Sequence, residues 1–395
     1  MLSAKRNPLI FPVYVPSFLL AFCAGLLIPI LPIFAKSFQI SYGLVGLVLA
    51  AEGIGRLAGD LPSIVIIRRL GRKTAMVSGV SCVALSTLLL YWSPSIVQVI
   101  GLRFVAGLGG SLWNISRHAY ITDVTAVYQR GRAIAVFGGV NRIGMFAGPV
   151  VGGTLATFYG LRTPFLLSAG VSFLAALVAA LVIERSEKAE EPLPRSHLGH
   201  LVNTFRVHYR NLVTAGSGQL FAQTIRAARQ TIVPLYGADI LGLDEQAVGL
   251  IVSISGFVDM SMFYPAGLIM DRLGRKFATV PCFATQAVGM GLIPFTGSFA
   301  GLLLATCIIG LGNGLGSGTM MTLGADLAPK TATGEFLGVW RLIGDGGHMA
   351  GPMAVGSLAD LLNLSAPPFF IAGIGLLSAG IFAFLVPETL RKCST

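Results

Sequence analysis

Runs of apolar residues long enough to cross a bilayer recur from one end of the chain to the other, broken only by charged or turn segments. A spanning helix needs about 20 predominantly apolar residues. Taking the breaks as boundaries gives twelve spans, at 12–36, 43–67, 74–93, 97–120, 131–156, 164–184, 210–237, 246–270, 277–296, 299–323, 335–361 and 367–386 of the 395 residues. So much apolar surface implies a lipid solvent. Composition agrees: 54% of residues are hydrophobic and 11% charged, against about 25% charged in a soluble domain. A soluble enzyme and a disordered chain are excluded. Twelve spans take about 240 residues, so a large extramembrane domain does not fit. The expected fold class is an all-α membrane protein with twelve transmembrane helices.

The net charge of +11 does not indicate nucleic acid, because the 28 Lys and Arg are scattered between apolar runs. With both termini in the cytoplasm, 19 of them fall on the cytoplasmic side, Lys36 and Arg162 fall opposite, and seven lie within spans. That asymmetry sets the expected orientation. Lys5 and Arg6 precede an apolar run too long for a signal peptide, which reads as a retained first span. The cysteines (Cys23, Cys82, Cys282, Cys307 and Cys393) form no CxxC pair, disulfide framework or metal site.

A charged, proline-bearing stretch divides the spans six and six, giving a first bundle at 1–184, a cytoplasmic linker at 185–209 and a second bundle at 210–395. An internal repeat supports the division. At an offset of 203, Arg69-Leu70-Gly71-Arg72-Lys73 overlays Arg272-Leu273-Gly274-Arg275-Lys276. The same shift carries Val45-Gly46-Leu47 onto Val248-Gly249-Leu250, Gly107-Leu108-Gly109 onto Gly310-Leu311-Gly312, and Gly148-Pro149 onto Gly351-Pro352. Parallel halves of this kind are a transporter architecture with the binding site expected between them, near mid-depth.

These residues resemble those of the major facilitator superfamily over essentially the whole chain. Gly267-x-x-x-Asp271-Arg272-x-Gly274-Arg275-Lys276 is similar to its loop signature, and Arg103-Phe-Val-Ala-Gly107-Leu-Gly109 to its fourth-helix signature. Gly144-x-x-x-Gly148-Pro149-x-x-Gly152-Gly153 resembles the fifth-helix motif of the antiporters, and Pro29-Ile-Leu-Pro32 the end of a first-helix motif of twelve-helix drug:proton antiporters. The resemblance implies two pseudo-symmetric six-helix bundles, alternating access, and a gating role for the loop and glycine motifs. It also suggests a proton-relay or structural role for Arg103. The first-half loop departs from the pattern, with Arg68 at the aspartate position and Ile64 at the glycine position, so Asp271 is the intact copy. The first span also lacks the acidic residue of some drug:proton exporters.

In-span polar residues are costly and usually face an interior or a water-filled cavity. Gln219, Gln223, Arg226 and Gln230 share one narrow face of the seventh span, as a cavity lining or a contact with a neighbouring helix would require. Arg341, Asp345 and His348 share a face of the eleventh, either as a lining or as a permanent Arg341–Asp345 pair. Asn114 of the fourth span, and Asn141 with Arg142 of the fifth, are further cavity candidates. Glu52 flanks Arg56 on the second span, and Asp259 has no basic neighbour within two turns of its own helix. A proton carrier needs its charged form disfavoured by burial, so Glu52 and Asp259 lead the proton-coupling candidates, with Asp345 and Arg103 behind them. A structural ion pair with an arginine of another helix is the competing reading.

Gly144, Gly148 and Gly152 form one stripe, and Gly310, Gly314 and Gly318 another, where helices can approach. No Gly-Lys dipeptide exists, which excludes a Walker A site and ATP. His197, His200 and His208 read as linker residues rather than metal ligands. The expected function is secondary transport: proton-coupled export of a small-molecule substrate, with membrane lipid and protons as the other partners. No cofactor or metal is expected, a monomer is expected, and the location is a multi-pass protein of the cell membrane. An organic-anion exchanger or symporter using Arg226 or Arg142, and a non-transporting receptor, are the alternatives.

Overall fold

The structure is a computed structural model that describes residues 9–125, 130–183, 206–207, 209–330 and 333–390. His197, His200, His208, Cys393 and most of the linker lie outside the described residues. All regular elements among the described residues are helical. They are α1 (Val15–Lys36), α2 (Tyr42–Leu70), α3 (Arg72–Leu90), α4 (Ile96–Val124), α5 (Arg130–Tyr159), α6 (Thr163–Val182) and α7 (Tyr209–Leu235). Then follow α8 (Glu245–Ser261), α9 (Phe263–Arg272), α10 (Arg275–Leu292), α11 (Phe299–Leu315), α12 (Thr319–Leu327), α13 (Thr333–Leu361) and α14 (Ala366–Gly380).

The eighth span is therefore two helices, α8 and α9, and the tenth is α11 and α12. The second break is built by glycine: Gly318 takes φ +77 at the start of α12. This corrects the expected stripe. Gly310 and Gly314 lie against carbonyl oxygens of Ser255 and Asp259, but Gly318 meets only Met270. Helical phase counted through an unbroken helix fails once the chain turns left-handed.

Eight helical segments among the described residues are long and apolar enough to cross a membrane unaided. The other long helices, α2, α5, α7 and α13, carry many of the in-span polar residues. Their polar atoms need protein partners, since lipid offers none. Large apolar side chains such as Val97, Leu181, Phe295 and Phe384 are left exposed, as a lipid-facing belt requires.

By packing, the described chain forms two compact units. One holds the described residues of Met1–Ile40, Ala51–Glu191 and Asp244–Ser253, the other those of Ser41–Ala50, Pro192–Leu243 and Ile254–Thr395. Each unit thus takes in the first nine residues of a helix, α2 or α8, with the residue before it, while the remainder of that helix belongs to the other. Within the first unit α1 packs on α5 and α6, and α3 on α4 and α6. Within the second, α7 packs on α13 and α14, and α10 on α11 and α14. These are the same pairings moved by one repeat.

The repeat extends to single atoms. A Cβ on Gly109 would lie 2.7 Å from the Gly79 carbonyl oxygen, and one on Gly312 would lie 2.8 Å from that of Cys282. Both residues and both contacts are 203 apart. Gly71 and Gly274 repeat too, with φ of +82 and +131, which is why each RLGRK loop needs its glycine.

Candidate functional site

Two polar clusters lie where α2 crosses α4 and where α8 crosses α11. Gly107 and Gly310 create the space: a Cβ on either would overlap a carbonyl oxygen, that of Glu52 or Ser255. In the first unit Glu52 accepts from Arg56, one turn along α2, and from Arg103 of α4. Arg103 is largely buried, with 11% of its side chain exposed. One turn beyond Arg56, Asp60 accepts from the Ser111 hydroxyl. At the repeat-related place in the second unit, the Ser255 hydroxyl donates to the Thr306 carbonyl at 2.7 Å. At this repeat-related position one crossing is therefore joined by charge and the other by a neutral hydrogen bond.

The second unit's charge sits one turn further along α8. Asp259 is 9% exposed, accepts from Asn313 at 2.6 Å and lies 3.6 Å from Arg229 of α7. On its own helix Asp259 has no basic neighbour within two turns, and another helix supplies one. Glu52 likewise has two guanidinium partners. The competing reading, an ion pair between helices, describes the geometry of both acids. Sequence reasoning missed Arg229 and Asn313 as partners. Arg229 sits at the margin of the α7 stripe, and Asn313 lies in a run read only for its glycines.

The α7 stripe faces protein. Gln219 is 4% exposed, and Gln223, Arg226 and Gln230 are half-buried. Gln219 and Gln223 lie against Gly344 of α13, and the Gln219 Oε1 atom is buried without a partner among the described residues. Arg226 turns to the break in the tenth span, where it donates to the Gly316 carbonyl at 3.1 Å and lies over the Phe283 ring. The same carbonyl accepts from the Thr319 N–H at 3.2 Å and the Thr319 hydroxyl at 2.8 Å, so Arg226 adds a charged donor to a carbonyl that the turn already pairs. A Cβ on Gly316 would lie 2.8 Å from Arg226 Nη2 and overlap Cys282 Sγ.

The remaining candidates are dispersed. Arg341 and Asp345 pair along α13 at 3.6 Å, both partly exposed, with His348 exposed further along the helix. Asn141 donates back to the Phe137 carbonyl at 3.1 Å, and Arg142 and Asn114 are half-buried. Gly144, Gly148 and Gly152 all lie against the α1 backbone, whereas Gly153 faces the Glu245 carbonyl at the start of α8, and Pro149 faces Gly249.

The loop motif closes on the end of the chain. Arg275 donates to Asp271 and Asp326, each at 3.1 Å, while Arg272 is exposed. Glu388 accepts the backbone N–H of Arg275 at 2.9 Å and of Lys276 at 3.0 Å, capping α10. Partial burial pushes the Glu388 carboxyl up, but backbone N–H donors from Leu390, Lys276, Arg275 and Thr389 outweigh it and hold it below the usual range. Lys276 Nζ donates to the Ala383 carbonyl at 2.7 Å. Glu388 and Asp326 carried no motif and were missed. Among the described residues no group of His, Cys, Asp and Glu could hold a metal.

Twelve spans in two repeated halves, with charges paired between apolar helices, define an integral, multi-pass α-helical membrane protein. The sequence profile of the Major Facilitator Superfamily matches residues 13–225 and 215–394. The chain belongs to that superfamily and is a transporter, not an enzyme. It is 24% identical over 385 residues to Multidrug resistance protein 2 of Bacillus subtilis, covering 95% of this chain and 96% of that one. It is 22% identical over 383 residues to an uncharacterized MFS-type transporter of Methanocaldococcus jannaschii, covering 96% and 98%. Among solved structures, the D-xylose-proton symporter superposes with a TM-score of 0.76 at 17% identity, covering 96% of this chain and 98% of that one. That likeness shows the fold.

Proposed function

We propose that this transporter exports small organic molecules in exchange for protons, by alternating access, as a monomer in the cell membrane with both termini cytoplasmic. The observation that carries the reading is the pairing of its in-span acids. Glu52 with Arg103 and Arg56, and Asp259 with Arg229 and Asn313, are polar clusters set between apolar helices. A carboxylate in such a place must be neutralised by a cation or by a proton. An acid that exchanges its arginine for a proton as helices shift couples proton movement to conformation. The similarity to Multidrug resistance protein 2 supports an organic, exported substrate. The excess of Lys and Arg in the loops on one side supports the orientation.

The test uses proteoliposomes with an acid interior, a trapped pH-sensitive dye and ethidium as the first probe of a panel of lipophilic cations. Addition of a transported probe should alkalinise the interior, and Asp259→Asn or Glu52→Gln should slow this at least tenfold. Proton flux at the wild-type rate in both variants would overturn the coupling assignment. Probe uptake that is indifferent to the pH gradient in the wild type would overturn antiport itself.

A further inference from the structure

The first nine residues of α2 and of α8 are each docked on the end of another helix, and the two docks share one backbone plan. Gly46 lies against the Pro352 carbonyl and Gly356 against the Tyr42 carbonyl, both between α2 and α13. Gly249 lies against the Pro149 carbonyl and Gly153 against the Glu245 carbonyl, both between α8 and α5. Every residue in the first set is 203 from its counterpart in the second.

The caps on these helix starts break the symmetry. At the tip of α2, Asp360 of α13 accepts the backbone N–H of Tyr42 at 2.7 Å and of Gly43 at 2.8 Å. The helix's own cap, Ser41, reaches Leu44 N only at 3.3 Å. At the tip of α8 the roles reverse. Asp244, which precedes the helix, accepts from Ala247 N at 2.8 Å. The residue on the receiving helix is Thr157, whose hydroxyl accepts from Gln246 N at 3.0 Å. One repeat carries Ser41 onto Asp244 and Thr157 onto Asp360. The carboxylate has changed sides: it rides on the docked helix in one case and belongs to the receiver in the other.

A helix N-terminus leaves its first N–H groups without intrahelical partners, and a carboxylate there makes charge-assisted bonds roughly twice as strong as neutral ones. If α8 undocks, it keeps its carboxylate cap. If α2 undocks, it leaves its carboxylate behind. We propose that the docks are latches of unequal strength: Asp360 is the lock on the start of α2, and the self-capped start of α8 lets go first. The Ser253 hydroxyl, which donates to the Phe146 carbonyl at 2.9 Å, pins α8 at the inner end of its dock, while the tip is held by the Thr157 hydroxyl alone, which accepts from Gln246 N and donates to the Glu245 carboxylate at 3.3 Å. Its counterpart at the inner end of the α2 dock is Ala50, which has no side-chain donor. This inference does not depend on substrate or on proton coupling.

Amide hydrogen exchange on the full chain in lipid nanodiscs reads both tips directly. Asp360→Ala should speed exchange at 42–44 about tenfold and leave 245–247 unchanged. Asp360→Asn, which keeps an acceptor without charge, should fall between it and the wild type. Thr157→Val should raise exchange at Gln246 less than threefold. The proposal is overturned if Asp360→Ala leaves 42–44 unchanged, or if Thr157→Val opens 245–247 as much as Asp360→Ala opens 42–44. If Asp360→Ala exchanges faster throughout α7, α10 and α13, it is misfolded, and the near-isosteric Asp360→Asn decides: faster exchange confined to 42–44 supports the lock, and unchanged exchange there sinks it.

Discussion

Gly109→Ala should loosen the α3–α4 crossing, because the space it would fill is already occupied by backbone. The added Cβ would lie 2.7 Å from the Gly79 carbonyl oxygen, 2.9 Å from Cys82 Cβ and 3.1 Å from Val83 N. Ordinary contact begins at 3.4 Å, so the helices must part by about 0.7 Å at this point. Neither a carbonyl nor an amide can rotate away as a side-chain end could. Over-packing of this kind costs about 1–3 kcal/mol. Alanine also gains helix propensity over glycine, by up to about 1 kcal/mol in water. A control removes that gain from the comparison: Gly101 lies on the same helix, and a Cβ added there would meet nothing within 4 Å. Denaturant titration of the purified protein should place Gly109→Ala about 1–3 kcal/mol below Gly101→Ala. Its repeat partner, Gly312→Ala, faces the Cys282 carbonyl oxygen at 2.8 Å and should behave alike. Equal stability of the Gly109 and Gly101 variants would show that the helices do not meet as closely as described, and the atom-level repeat would lose its support.

Two further outcomes follow from the second unit. Gly316→Ala should drive Arg226 off the Gly316 carbonyl and cost about 2–3 kcal/mol, and adding Cys282→Ala, which removes the overlapping sulfur, should restore part of that. No loss in the single variant would mean that Arg226 does not depend on this carbonyl. The Glu388 cap should be acid-sensitive. Its carboxyl is held below the usual range in the folded protein, so its contribution is complete above the unfolded carboxyl value of about 4.3 and is lost as pH falls through the lower folded value. Amide exchange at 275–276, corrected for the intrinsic pH effect, should rise on acidification in the wild type. It should already be high and flat in Glu388→Gln, and a wild-type profile without that rise would refute the cap.

Much of the architecture was legible because lipid imposes a simple rule: a span must be apolar, helical and long. The helix starts Tyr42, Arg72, Ile96, Thr163 and Ala366 lie within two residues of the sequence reading. The repeat offset was legible for the same reason that it exists: glycines tolerated at close crossings mark equivalent places in both halves. The clusters were legible only in part. Glu52, Arg103 and Asp259 stood out as charges in apolar runs, whereas Asn313, Asp326, Glu388 and Asp360 did not, because nothing local distinguishes a polar residue that caps a distant helix.

The sequence by itself determined the solvent, the number of spans, the glycine crossings and the twofold plan, since each depends on residue type and spacing along one helix. Tertiary structure alone decided who neutralises whom. Asp259 has no cation on its own helix but meets Arg229 from α7, and Tyr42 and Gly43 donate to a carboxylate more than 300 residues away. Pairing falls off over a few ångströms, and only packing brings residues far apart in the chain within that reach.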